Sequence, residues 1–253
     1  MIFNPNSTFN SLQGFCFPST VALPNVKCIN LQANLTSTGD NDLYTVPTGK
    51  RAYIANFVVF NGNAGSSTVI PEIKISGTYN ALGAQVSVSA SVAGSVILRT
   101  PYVAEAGEIV AVNISAQPCA AYAAIFEFDN TANIFSKKLT SLINGNNTLY
   151  TCATGKTALL LTTSGGLSPT SVSVVGFYNN TGGSLTVHVN VVKSGGSPGT
   201  TNQASANATA TSGTATFAAL IPIPITIGSG DFVSINSGSA SATQFAWVTA
   251  IEF

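Results

Sequence analysis

The amino-acid sequence predicts an all-β protein: tandem duplicated antiparallel β-sandwich or jelly-roll domains preceded by an extended N-terminal arm. Three observations predict it. An eight-residue block occurs twice, with further matching blocks behind it in the same order. Apolar residues between the blocks follow a period of two. The composition suits uncharged outer sheet faces, with 57 of 253 residues Ser or Thr and 23 Gly.

The repeat opens at Leu43-Tyr44-Thr45-Val46-Pro47-Thr48-Gly49-Lys50, which returns as Leu149-Tyr150-Thr151-Cys152-Ala153-Thr154-Gly155-Lys156. Residues 57–77 then parallel 176–195, with Asn61 against Asn179 and Gly77 against Gly195. Gly107–Asn113 matches Gly230–Asn236, and both units close on an aromatic-acidic signature, Ile125-Phe126-Glu127-Phe128 and Ala250-Ile251-Glu252-Phe253. Loop insertions between blocks explain the drifting offset. The chain reads as a tandem duplication.

Within each unit the residues alternate as half-buried strands do. Leu185, Val187, Val189 and Val191 interleave with Thr186, His188 and Asn190, and Val86, Val88, Ala90 and Val92 with Ser87, Ser89 and Ser91. Gly, Asn, Ser and Pro clusters at 61–67, 179–184 and 194–199 punctuate these runs as turns. Many short strands so punctuated suggest a sandwich or barrel. About eight per unit makes a jelly roll the first choice and a simpler Greek-key sandwich the second. The expected organisation is an arm over 1–35, a sandwich over 36–132, a linker over 133–145 and a second sandwich over 146–253. Residues 132–143 show the nearest approach to a helical period. The low-complexity run 194–216 reads as a long exposed loop, or as an extension of a strand.

Charge excludes several functions. Only 7% of residues are charged, against about 25% in an average protein, and the net charge is zero. Such a surface cannot draw in a polyanion by counterion release, so no nucleic-acid partner is expected. No apolar run reaches the length that crosses a bilayer as a helix, so no membrane partner is expected either. The N-terminus lacks the basic and continuous apolar regions of a secretory signal, and Pro5 and Pro18 interrupt it. Cys16, Cys28, Cys119 and Cys152 are widely spaced, with no Cys-x-x-Cys pair for zinc or redox work, and read as free, buried thiols rather than a structural disulfide.

Candidate chemistry is sparse. His188, the sole histidine, falls in the polar phase of its strand and reads as a solvated residue. One His with dispersed Cys cannot supply a metal set, and no Gly-x-Ser-x-Gly elbow is present. Paired carboxylates (Glu105 with Glu108, Glu127 with Asp129) remain as glycosidase-type groups. However, Glu127 recurs as Glu252 and Glu108 as Asp231, which points to a structural cause in both units. Glu127 and Glu252 are expected to face outward on the terminal strands. Asp40-Asn41-Asp42 lacks the Gly and the distant Glu of a calcium loop and reads as a turn. Thr48-Gly49-Lys50 and its copy lack the first Gly and the helix of a phosphate loop. They read as tight turns, with Lys50 and Lys156 at strand starts where they discourage edge pairing. The expectation is therefore no catalytic residue, no metal and no cofactor.

The arm carries Phe3, Phe9, Phe15 and Phe17 among Pro5, Pro18 and Pro24. Such a segment is too broken to form its own core and too apolar to lie in water at no cost. These four phenylalanines are the expected interaction residues, packing on the chain's own first domain or on a neighbouring subunit.

The stretch Leu43–Lys50 with Phe57–Ile75 resembles β-sandwich proteins of tailed-phage virions. Leu149–Lys156 with Gly176–Val192 does so more loosely, with Cys152-Ala153 replacing Val46-Pro47. In such proteins the pattern occurs among capsid cement or decoration proteins, head fibres and tail components. The resemblance implies a non-enzymatic virion protein, assembled in the host cytoplasm and stabilising a shell through inter-subunit contacts. Its partners would be the major capsid protein or other virion subunits, with the chain itself a homo-oligomer and a trimer the expected form. The alternative is a tail- or fibre-associated glycan- or receptor-binding module using Tyr79, Tyr102, Tyr122 or Trp247. A carboxylate-dependent glycoside hydrolase comes last.

Overall fold

A computed structural model describes residues 11–12, 15–16, 25–83, 85–96, 98, 101–161, 163–164, 172–173, 175–198, 202–210, 214–218, 225–238 and 244–253. Among these residues the regular structure is all strand, as the alternation predicts. The first elements, β1 (Ser11–Leu12) and β2 (Phe15–Cys16), form a minimal antiparallel pair.

The first sandwich runs from β3 (Lys27–Leu35) and β4 (Gly39–Thr45) through β5 (Lys50–Asn61), β6 (Ser67–Ile75), β7 (Thr78–Ala81) and β8 (Val86–Val88). It continues with β9 (Val92–Val96), β10 (Val103–Glu105), β11 (Ile109–Ile114) and β12 (Cys119–Asp129). Sheet I has the order β10-β5-β12-β3, with β9 also on β5; sheet II has β4-β11-β6-β7, with β8 also on β6. With β9 and β10 sharing one place beside β5, and β7 and β8 one place beside β6, each sheet has four strand positions. Between these positions the chain crosses from sheet to sheet everywhere except from β6 to β7 and β8, the arrangement of two Greek keys in a jelly roll. Phe57, Val59, Ala121, Ala123 and Ile125 of sheet I meet Val69, Ile73, Val110, Val112 and Ile114 of sheet II in one buried cluster.

The second sandwich repeats this topology. It comprises β13 (Ile134–Leu139), β14 (Gly145–Thr151), β15 (Ala158–Leu160), β16 (Thr163–Ser164), β17 (Val172–Ser173) and β18 (Val175–Asn179). Then come β19 (Leu185–Val192), β20 (Asn202–Ala210), β21 (Thr214–Ala218), β22 (Ile225–Ile227), β23 (Phe232–Ser237) and β24 (Gln244–Glu252). Sheet III is β21-β18-β24-β15-β22 with β13 also on β24, and sheet IV is β14-β23-β19-β20. Both β15 and β18 pair with β24, so together they fill the place of β5, interrupted where β16 and β17 form a side hairpin. Val187, Val189 and Val191 face Ala246, Val248 and Ala250 across a second core. Within 194–216, read as a long loop or as the extension of a strand, residues 202–210 form β20, which pairs along β19.

Two segments placed outside the repeats by sequence carry strands. The end of 1–35 is β3, which pairs with β12 from Lys27 to Leu35. The segment 133–145 contains β13, which pairs with β24 from Ile134 to Leu139. Each is the first strand of its jelly roll. Neither carries a repeated motif, because its partner is chosen by a long-range ladder rather than by a turn.

The two sandwiches share a buried seam. Strand β24 is buried on both faces: Ala246, Val248 and Ala250 point into the second core, while Phe245 and Trp247 join the first cluster. Ile251 meets Tyr53, Val103, Phe128 and Ile134 in a third cluster between the sandwiches.

Candidate functional site

Residues that the repeat preserves are engaged in holding turns and clamping sheets. Pro47–Lys50 and Ala153–Lys156 are four-residue turns closed by Lys50 N–H to Pro47 O (3.1 Å) and Lys156 N–H to Ala153 O (3.0 Å). Their third residues, Gly49 and Gly155, have φ of 77° and 75°, the left-handed value that such a turn requires. Tyr44 then donates to Glu127 across the sandwich, and Tyr150 donates to Glu252 Oε1 at 2.5 Å. Burial, followed by the adjoining carboxylate, pushes both phenols up. Glu127 is buried rather than outward-facing, because it receives the hydroxyl of the opposite sheet.

Asn61 and Asn179 are fully buried and shape equivalent turns. Asn61 Nδ2 donates to Gly65 O, and Asn179 Nδ2 to Gly183 O, each at 2.8 Å. Glu108 Oε2 accepts from Glu105 N–H at 3.1 Å, as Asp231 Oδ2 accepts from Gly228 N–H at 2.9 Å. Both acids therefore cap the turn before a strand, as their duplication predicted.

The carboxylate pairs considered for hydrolysis are tied down elsewhere. Glu105 accepts both contacts from Arg51 Nε, at 3.1 and 3.0 Å. Asp129 accepts from Lys50 Nζ at 2.6 Å, and Glu108 pairs with Lys138 of β13. Burial lowers the Lys138 ammonium to about 8, with Glu105 opposing the shift. The structure instead brings together a pair that sequence reading missed. Glu72 on β6 and Asp40 on β4 have adjoining carboxyls, and burial, reinforced by Asp40, raises Glu72 to about 8. Glu72 Oε2 is buried with no hydrogen-bond partner among the described residues, a setting that favours the neutral carboxyl over the carboxylate. Nothing local signals this pairing, because 32 positions and another strand, β11, separate the two acids.

Other candidates resolve simply. His188 is exposed and bonds Asn207 of the neighbouring strand. Asp42 accepts from Lys74 Nζ (3.0 Å) and from Tyr79 OH (2.8 Å), and both Asp40 and Asp42 belong to β4 rather than to a turn. Cys28, Cys119 and Cys152 are free thiols. Cys119 and Cys152 are buried as expected, but Cys28 is exposed on the edge strand β3. Among the described residues no group of three His, Cys, Asp or Glu comes together to hold a metal ion. Phe3, Phe9 and Phe17 lie outside the described residues, and of Phe15 only its place in β2 is described.

Of the aromatic candidates, Trp247 and Tyr102 are fully buried at the seam. Their rings meet edge-on at 6.1 Å, and Phe245 stacks on Trp247 at 5.3 Å. Trp247 Nε1 donates to Pro101 O (3.2 Å), as does Thr249 Oγ1 (2.5 Å). Thr249 also bonds Ser136 Oγ (2.7 Å), which accepts from Val103 N–H (2.8 Å). The polar atoms of the seam are thus paired, as burial demands. Tyr122 is different. It stands 40% exposed on the outer face of sheet I beside Phe60, also 40% exposed.

A scan against protein-family models and a search of curated proteins returned no match. Among solved structures, the chain is similar to the tandem CBM22-1-CBM22-2 domains of Paenibacillus barcinonensis Xyn10C, with 10% identity and a TM-score of 0.26 over 90% of this chain and 91% of that one. It is also similar to a triple jelly-roll protein of an archaeal virus turret (12%, TM-score 0.24, 90% and 59%). A third is the PBSX exported protein XepA (11%, TM-score 0.23, 90% and 86%). Likeness of this degree carries no functional argument.

Proposed function

We propose that this chain is a non-enzymatic structural subunit of a virion, acting as a capsid cement or decoration protein that stabilises the shell through contacts between subunits. Its partners are the major capsid protein or other virion subunits and further copies of itself. The observation that carries the reading is the seam. Two jelly rolls are fused through a strand buried on both faces, and the polar side chains that the repeat preserves serve turns and sheet clamps. Such a block has stiffness and surface to offer, and among the described residues it leaves an uncharged, partly aromatic end of one sheet face exposed. The resemblance of Leu43–Ile75 to phage virion sandwiches supports the same reading. The glycan alternative loses two of its four aromatics, Tyr102 and Trp247, to the seam, and a third, Tyr79, to Asp42 and Lys74.

The test is particle binding. The purified chain should co-sediment with capsid shells and raise their resistance to heat. Removing residues 1–24, which stops short of β3, should weaken attachment while the strand content by circular dichroism is kept. A full-length chain that pellets with none of the shells would sink the cement role; unchanged attachment after truncation would remove the arm from it.

A further inference from the structure

The duplication lets one sheet face serve as a control for the other. Aligning Phe128 with Phe253 and Asn61 with Asn179 sets Phe60 against Tyr178, Ala120 against Phe245, Tyr122 against Trp247, and Phe126 against Ile251. The strand registers agree: Tyr122 lies opposite Val58 and Ala120 opposite Phe60, while Trp247 lies opposite Gly176 and Phe245 opposite Tyr178. These are the same outward positions on equivalent strands.

In the second jelly roll this face is covered. Phe245, Trp247 and Ile251 are all 0% exposed, because the first jelly roll lies on them through Tyr102 and its neighbours. In the first jelly roll, among the described residues, one end of the face is covered, where Ala124 and Phe126 join the seam cluster. At the other end no described residue of the second jelly roll joins the face. Phe60 and Tyr122 are exposed, Val58 and Ala120 half-buried, and the rim on β3 is Gln32 and Asn34. None of these six side chains is charged.

We infer that this end of sheet I, centred on Phe60 and Tyr122, is the docking surface for a second copy of this chain. The surface is continuous with the seam, and its equivalent is one that this chain already buries against itself. In a two-fold contact a patch meets its own copy, and in a ring it meets another patch of the same chain; an uncharged patch can do either without the like-charge cost that suppresses association. Clustered exposed aromatics are the residue type that carries association energy when a partner excludes water from them. The inference rests on the reading of the chain as a self-associating subunit and supplies the face.

Light scattering and sedimentation equilibrium on the full chain test it. The wild type should run at a multiple of 25.8 kDa, and the double variant Phe60→Lys/Tyr122→Lys at the monomer mass, with at least a tenfold weaker association constant. Asn34→Arg, on an exposed rim position that the fold does not need, should weaken association in the same direction. Circular dichroism and the emission of Trp247 report whether each variant is folded. A monomeric wild type at 100 μM, or a folded double variant that still assembles, would overturn the inference. So would an oligomer dissolved by removing residues 1–24 but not by the lysines, since the arm would then be the joining element. A chain that assembles through this face yet binds no shell would keep the inference and defeat the virion reading.

Discussion

Tyr44 and Tyr150 occupy one position of the repeated block and make one bond, to Glu127 and Glu252 of the terminal strands. This explains why a tyrosine early in each unit and a glutamate near its end were duplicated together. Tyr150→Phe should lower stability by about 1–3 kcal/mol, the range for losing a hydrogen bond to a charged group, read as a shift in the urea midpoint. Glu72 makes a second prediction. Its proton is held to about 8 against an ordinary 4.5, so between those pH values the native state binds a proton that the unfolded chain has released. Stability therefore falls as pH rises across that window. Glu72→Gln should flatten the fall, melting higher than wild type at pH 8 and close to it at pH 4.5; parallel curves for the two proteins would refute the assignment. The repeated acids were legible in the sequence because duplication marks them. The Glu72–Asp40 pair was not, since only the ladders β4-β11-β6 bring it together.

At the scale of elements, β18 and β24 meet where there is no room for a side chain. A Cβ on Gly176 would fall 2.1 Å from Trp247 Cζ2, so the indole lies directly on the backbone of β18. Gly176→Ala should push the ring off Pro101 and cost about 1–3 kcal/mol, the usual range for overpacking. Since Trp247 is the only tryptophan, its emission should move to the red as the seam opens. An unshifted spectrum in a folded Gly176→Ala chain would show that the ring is not held there. The element boundaries show which signals the sequence carries. Strands that begin at repeated turns, such as β5 at Lys50 and β11 after Gly107-Glu108, are placed by their motifs. Lys27–Leu35 and Ile134–Leu139 read as arm and linker in the sequence, because a first strand enters its sheet beside the last strand, far along the chain, and no local residue declares it.

At the scale of the whole molecule, the seam makes the two jelly rolls one body. Phe245 and Trp247 belong to the first cluster although they lie on the second sandwich, and Arg51 donates to the carbonyls of Ala132 (2.8 Å) and Ile134 (3.3 Å) across the junction. Sandwiches joined by a linker would melt separately. Here Trp247 emission at the seam and far-UV dichroism of both sandwiches should change in a single coincident transition. Two separated transitions would mean that the interface adds little to either half.

The scarcity of charge has a physical account at this scale. Asp129, Glu105, Glu108 and Asp231 are bound to Lys50, Arg51, Lys138 and Lys193, and the exposed patch around Phe60 and Tyr122 carries no charge among its described residues. What the sequence by itself determined was the all-β class, the duplication, the jelly-roll choice and the structural role of the repeated acids and glycines. All of these are written in local period, turn chemistry and self-similarity. Only the tertiary structure decided which outward aromatics are covered. Tyr122 and Trp247 stand at the same place in the same motif, and burial depends on what another part of the chain, or another chain, lays over them.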